Sequence, residues 1–187
     1  MAKRLVQSAG FLLLVLMASA LYRNSVIVDI FPQEFHVLLK VTSNITSFIN
    51  SIIALLIYAA IFYFGYSMAV TFDNPIPLSD YLHMVAYGLL YFCIVEQVKI
   101  IIMFLFLEGN LINLVPDATI NIQLIGTTWY RYTLAADVLG MVGLPIFVYY
   151  LMRQMASVTK RQAVIAAVAI FIGFAMFNAY QLLPDRS

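Results

Sequence analysis

Five apolar runs separated by short polar segments organise this chain: residues 5–22, 48–70, 81–107, 132–152 and 163–183. A helix needs about 20 mostly apolar residues to cross a hydrocarbon core about 30 Å thick, and these runs match that length. The pattern predicts an all-α polytopic transmembrane helical bundle of five spans, a single transmembrane domain over residues 1–187. The first run follows Lys3 and Arg4 and contains Ala18-Ser19-Ala20, an A-x-A site of the kind signal peptidase cuts behind a short apolar stretch. It is either a retained anchor or a cleaved signal, and cleavage leaves four spans.

The connecting segments carry their own signals. Residues 23–44 mix Asp29, Pro32, Glu34, His36 and Lys40 with Val26, Phe31, Phe35 and Leu38, an amphipathic stretch expected along the outer interface. Asp73-Asn74-Pro75-Ile76-Pro77 predicts a helix break, because proline lacks an N–H and disfavours helical geometry in the residue before it. Ser79 or Asp80 is expected to cap the helix that follows. Residues 108–129 contain Asn110, Asn113, Pro116, Asp117, Asn121 and Gln123 and read as a loop with an interfacial or re-entrant piece. Any irregular backbone at membrane depth must be covered by protein, since lipid offers its amides no partner. Trp129, Tyr130 and Tyr132 are expected at the membrane–water boundary, and Pro145 is expected to kink the fourth span. Arg153, Lys160 and Arg161 form the densest basic loop, which with Lys3 and Arg4 sets the cytoplasmic side. Arg23, Lys40, Arg131 and Arg186 then fall singly outside. The expected location is a bacterial-type inner membrane, with the N-terminus cytoplasmic and the C-terminus extracytoplasmic.

Composition supports the class. The chain is 64% hydrophobic and only 10% charged, with a mean hydropathy of +0.95. Soluble domains are roughly half apolar and a quarter charged, so lipid rather than water is the expected solvent and the bilayer the first partner. A net charge of +1 provides no surface for tracking phosphates, which argues against nucleic acid. The single cysteine, Cys93, excludes an internal disulfide and multi-cysteine metal or redox motifs, and reads as apolar packing. There is no H-E-x-x-H, G-x-S-x-G, C-x-x-C or phosphate-cradling glycine loop, and His36 and His83 are expected on opposite sides. No enzyme, cofactor or metal site is predicted.

Glu96, Gln97 and Lys99 interrupt the third run and are the best lead to function. Glu96 and Lys99 are three residues apart, a spacing that puts both on one side of a helix. A lone charge at the bilayer centre costs about 2.5–3.5 kcal/mol on insertion scales, so pairing is expected. One reading is an ion, proton or polar-substrate contact. The other is a structural pair that joins this helix to a neighbour or another subunit, and the scarcity of further buried polar groups favours it. Asp137 is read either as a third member of the network, paired with Lys99 or Arg131, or, preferably, as an interfacial carboxylate in contact with headgroups or water. Asp80, His83 and Tyr87 share a helix face at the cytoplasmic end, as a proton entry or, preferably, as a cap beside an interfacial histidine. Ala136 with Gly140, and Ala169 with Gly173, have the four-residue spacing that lets helices approach closely. The Asn44-Ile45-Thr46 sequon adjoins the membrane too closely to be a good acceptor.

Residues 48–183 carry a further pattern: an apolar span, then Ser79-Asp80-Tyr81-Leu82 and Val85-Ala86-Tyr87-Gly88, a span led by Trp129, and the turn Thr159-Lys160-Arg161-Gln162-Ala163 before the last span. This order resembles the Yip family, five-span membrane proteins first known as partners of Rab GTPases and widespread in bacteria. The resemblance implies a non-enzymatic helical membrane protein, often an adaptor or an accessory to a larger assembly. The expected function is a non-catalytic subunit or scaffold with other membrane protein subunits as partners. The rival is a component of an ion- or proton-coupled transporter using Glu96, Lys99 and Asp137; a lipid-modifying enzyme is disfavoured by the missing catalytic groups.

Overall fold

The structure, a computed structural model, describes residues 2–71, 75–111, 123 and 125–182. Among these residues the regular structure is entirely helical, in five elements: α1 (Ala2–Val28), α2 (Gln33–Thr71), α3 (Leu78–Leu111), α4 (Thr128–Arg153) and α5 (Lys160–Leu182). The protein is all-α, and all five helices are long and apolar enough to cross a membrane.

The helix ends follow local chemistry. At the end of α1, Ile30 N–H donates to Ile27 and Phe31 N–H to Val28, tightening the last turn just before Pro32. Residues 23–44 are therefore not one element. The part up to Val28 completes α1, and the part from Gln33 opens α2. Nothing between Gln33 and Thr71 can stop the helix: there is no proline, and Thr42 and Ser43 turn their hydroxyls onto the Leu38 and Lys40 carbonyls. At 39 residues, α2 measures about 58 Å for a rise of 1.5 Å per residue, well beyond the hydrocarbon thickness.

The cap expected of Ser79 or Asp80 is replaced. Helix α3 starts earlier, at Leu78, with the Asp80 and Tyr81 amides both donating to the Pro77 carbonyl. Asp80 thereby falls inside the first turn, where a carboxylate complements the positive end of the helix. Thr127 caps α4 by accepting from the Tyr130 amide at 3.2 Å, and α4 continues through Pro145 to Arg153. Most of the expected loop at 108–129 lies outside the described residues, as do Asp73, Asn74, Leu183 and Arg186.

Contacts divide the chain into two compact units. One draws on Met1–Ala9, Leu56–Tyr91 and Leu139–Ser187, the other on Gly10–Leu55 and Phe92–Val138. In the first, aromatic side chains fill spaces left by glycines. Phe62 is fully buried and lies edge-on to Phe174, with ring centroids 6.3 Å apart. Gly88 faces that ring so closely that a Cβ would overlap it, and a Cβ on Gly173 would come within 2.9 Å of Ile61. Gly143 likewise makes room for the Tyr91 hydroxyl, which donates to the Gly140 carbonyl at 3.2 Å while its ring stacks on Phe147. Ala169 is buried, so Gly140, Ala169 and Gly173 all occupy packed positions, whereas Ala136 is half-buried.

A glycine in a helix interior is about 0.8–1 kcal/mol worse than alanine, so only a close contact justifies Gly88. Gly88→Ala is expected to destabilise the protein by about 1–3 kcal/mol through overpacking against Phe62. Gly10→Ala, at a position with open space around it, is expected to be neutral or stabilising. Thermal unfolding of both variants in mild detergent, followed by circular dichroism, tests this contrast; equal melting temperatures would refute it.

Candidate functional site

Two side-chain rows face each other in the second unit. Lys99, Met103 and Leu107 recur every four residues on α3, and Trp129, Thr133 and Asp137 do so on α4, so each trio occupies one helix face. At one end of the pairing, Met103, Leu107 and Trp129 form a buried apolar cluster that Tyr22, Val26 and Ile27 of α1 help to cover. At the other end, Lys99 Nζ lies 3.0 Å from Asp137 Oδ1. The rows are antiparallel, and the ion pair forms their last rung.

Lys99 also reaches along its own helix to Glu96, at 2.8 Å from Nζ to Oε1. One ammonium thus serves two carboxylates. Their exposures differ: the Glu96 side chain is 8% exposed and Lys99 20%, but Asp137 is 39% exposed. Arg23, on α1, is close enough to Glu96 for their charges to interact. Two acids and two bases therefore sum to zero in this region, so the nearly buried Glu96 carboxylate has cations beside it.

A second polar contact joins α1 to α2. Asn24, buried, donates to Ser47 Oγ at 2.9 Å and to Asn44 Oδ1 at 3.4 Å, while Ser51 turns its hydroxyl onto the Ser47 carbonyl. Tyr22 links α1 to α3 by stacking on Phe104 at 4.3 Å and donating to Glu108 at 3.5 Å. Sequence reasoning did not anticipate Asn24 or Ser47 as buried partners, nor Arg23 as a charge near Glu96. A signal was available in Asn24 and Ser47, since polar side chains bordering apolar runs can pair across helices in lipid.

Of the two partners open to Asp137, Lys99 is the one at ion-pair distance, and Arg131 is exposed. Gln97 is exposed. Asp80, His83 and Tyr87 separate into two contacts in the first unit: Ser157 donates to the Asp80 carboxylate, and the His83 and Tyr87 rings lie 4.6 Å apart. Cys93 is buried. Trp129 is only 8% exposed, its indole packed in the Met103–Leu107 cluster. Tyr132, at 49%, is the exposed ring of that group.

No family model, curated protein or solved structure matches the chain. The likeness to the Yip family thus rests on the residues that suggested it.

The exposures rank the consequences of breaking the triad. Lys99→Met strands two carboxylates together and is expected to cost about 3–5 kcal/mol, the range for removing one partner of a buried pair. Asp137→Asn removes the most open member and is expected to cost about 1 kcal/mol or less. Glu96→Gln should fall between them. Unfolding midpoints in one detergent give the order, and a Lys99→Met variant as stable as Asp137→Asn would show that the ammonium does not hold the rows together.

Proposed function

We propose that the protein is a non-catalytic subunit or scaffold of a larger membrane assembly, its helices crossing the bilayer and its charge triad serving assembly. The observation that carries this reading is the open side of Asp137. This carboxylate is 39% exposed on a stretch of α4 where Leu134, Val138 and Leu139 are also exposed. Facing lipid, a half-open carboxylate among apolar side chains is unfavourable, whereas a neighbouring subunit with a donor would satisfy it. The way the triad is closed supports the same reading. Both carboxylates engage one ammonium at the end of an apolar row, an arrangement suited to setting helix register. The Yip-family resemblance points the same way, toward an adaptor or accessory rather than an enzyme.

The same exposed carboxylate gives the transport reading its one support, because a group that must exchange protons has to reach water or a second site. The two readings separate in one experiment. The wild-type chain and the Glu96→Gln and Lys99→Met variants are purified in mild detergent, and bound proteins are identified by mass spectrometry. Loss of a stoichiometric neighbour from both variants is the expected result. Survival of that neighbour, with loss of pH-dependent transport in reconstituted vesicles, would overturn the scaffold in favour of the relay.

A further inference from the structure

The first unit contains a groove unrelated to the triad. It has a volume of about 880 Å³ and runs along α5, with Val164, Val168 and Ile172 on one wall and Phe64 and Met68 of α2 on the other. Lys160 and Arg161 close one end. Elsewhere its lining is apolar, and Phe64, Val164, Val168 and Ile172 are all exposed. A second apolar cleft, lined by Pro145, Ile146, Tyr149 and Tyr150 of α4, uses Val164 and Val168 as its shared wall. The Val164–Val168 ridge therefore divides two clefts, and the basic pair sits at the head of one of them.

The position of Lys160 and Arg161 is fixed by their neighbours. Thr159 and Gln162 form a reciprocal cap: the Gln162 amide donates to Thr159 Oγ1 at 3.2 Å and the Thr159 amide donates to Gln162 Oε1 at 3.0 Å. Gln162 is fully buried, so the first turn of α5 is anchored and the two cations between the cap residues are exposed. Cations at this end of a helix oppose its dipole. They do not serve the helix, and they concentrate positive charge at the end of the groove that they close.

The geometry points to an anionic phospholipid as the occupant, its phosphate held by Lys160 and Arg161 and its acyl chains lying on either side of the Val164–Val168 ridge. Charge complementarity selects the headgroup, since basic residues beside membrane helices attract anionic lipid. The apolar walls select a ligand with chains over a soluble anion, and the groove volume falls within the usual range for small-molecule sites, about 300–1,000 Å³.

The full chain, delipidated in mild detergent, is titrated with phosphatidylglycerol and with phosphatidylcholine of the same acyl chains, and bound lipid is counted by native mass spectrometry. Wild type is expected to bind phosphatidylglycerol about tenfold more tightly or better. K160Q/R161Q should reduce that affinity to the phosphatidylcholine level, and Val168→Trp, which fills the shared wall, should weaken both lipids. Glycerol phosphate in excess should not displace the bound lipid. Equal wild-type affinity for the two lipids overturns the proposal without need of any variant. So does a charge preference that survives in K160Q/R161Q, unchanged binding in Val168→Trp, or displacement by glycerol phosphate.

Discussion

An ammonium on an apolar helix has to find carboxylates, and Lys99 finds one a turn away on its own helix and a second on α4. The backbone of a helix satisfies its own amides and makes no demand on neighbouring helices. Side-chain charge does make that demand. Between two long greasy helices, many sliding registers bury similar apolar area, but only one brings Lys99 onto Asp137 while Met103 and Leu107 meet Trp129. The ion pair is thus a positional constraint first, and its net contribution to stability is secondary, because desolvation offsets much of the attraction.

The two units solve the problem of helix association differently. Around the triad, specificity comes from polar contacts: Lys99 with its acids, and Asn24 with Ser47. In the other unit it comes from shape, with Phe62 against Gly88, Ile61 against Gly173 and Tyr91 against Gly143. Both devices suit an environment in which apolar burial alone discriminates poorly between partners, since lipid tails are as apolar as the side chains. Helices α2 and α3 contribute residues to both units, so each long helix carries a polar contact surface in one half and a glycine or aromatic one in the other.

The proposed role follows from how the charges are used. In the triad each charged group engages a partner within the chain, and the most exposed of the three is Asp137. A scaffold needs surfaces that a neighbour completes, and a half-exposed carboxylate on an apolar helix face is such a surface. The groove along α5 presents a different demand, for a ligand with an anionic head and apolar chains, and it involves no residue of the triad.

Local chemistry made the helical class and most of the helix cores legible in the residues themselves: apolar runs, Pro32 before α2, Pro75 and Pro77 before α3, and the three-residue spacing of Glu96 and Lys99. These signals act within a few residues, so no knowledge of packing is needed to read them. The continuation of α2 back to Gln33 was hidden because polar composition suggested a surface segment, whereas helix length depends on breakers, and none is present. What only the tertiary structure decided were the meetings of residues far apart in the chain: Lys99 with Asp137, Asn24 with Ser47, and Trp129 turned inward. A helix offers several faces of similar polarity, and which face meets which neighbour is settled by the simultaneous packing of all the helices, information that no single stretch of sequence contains.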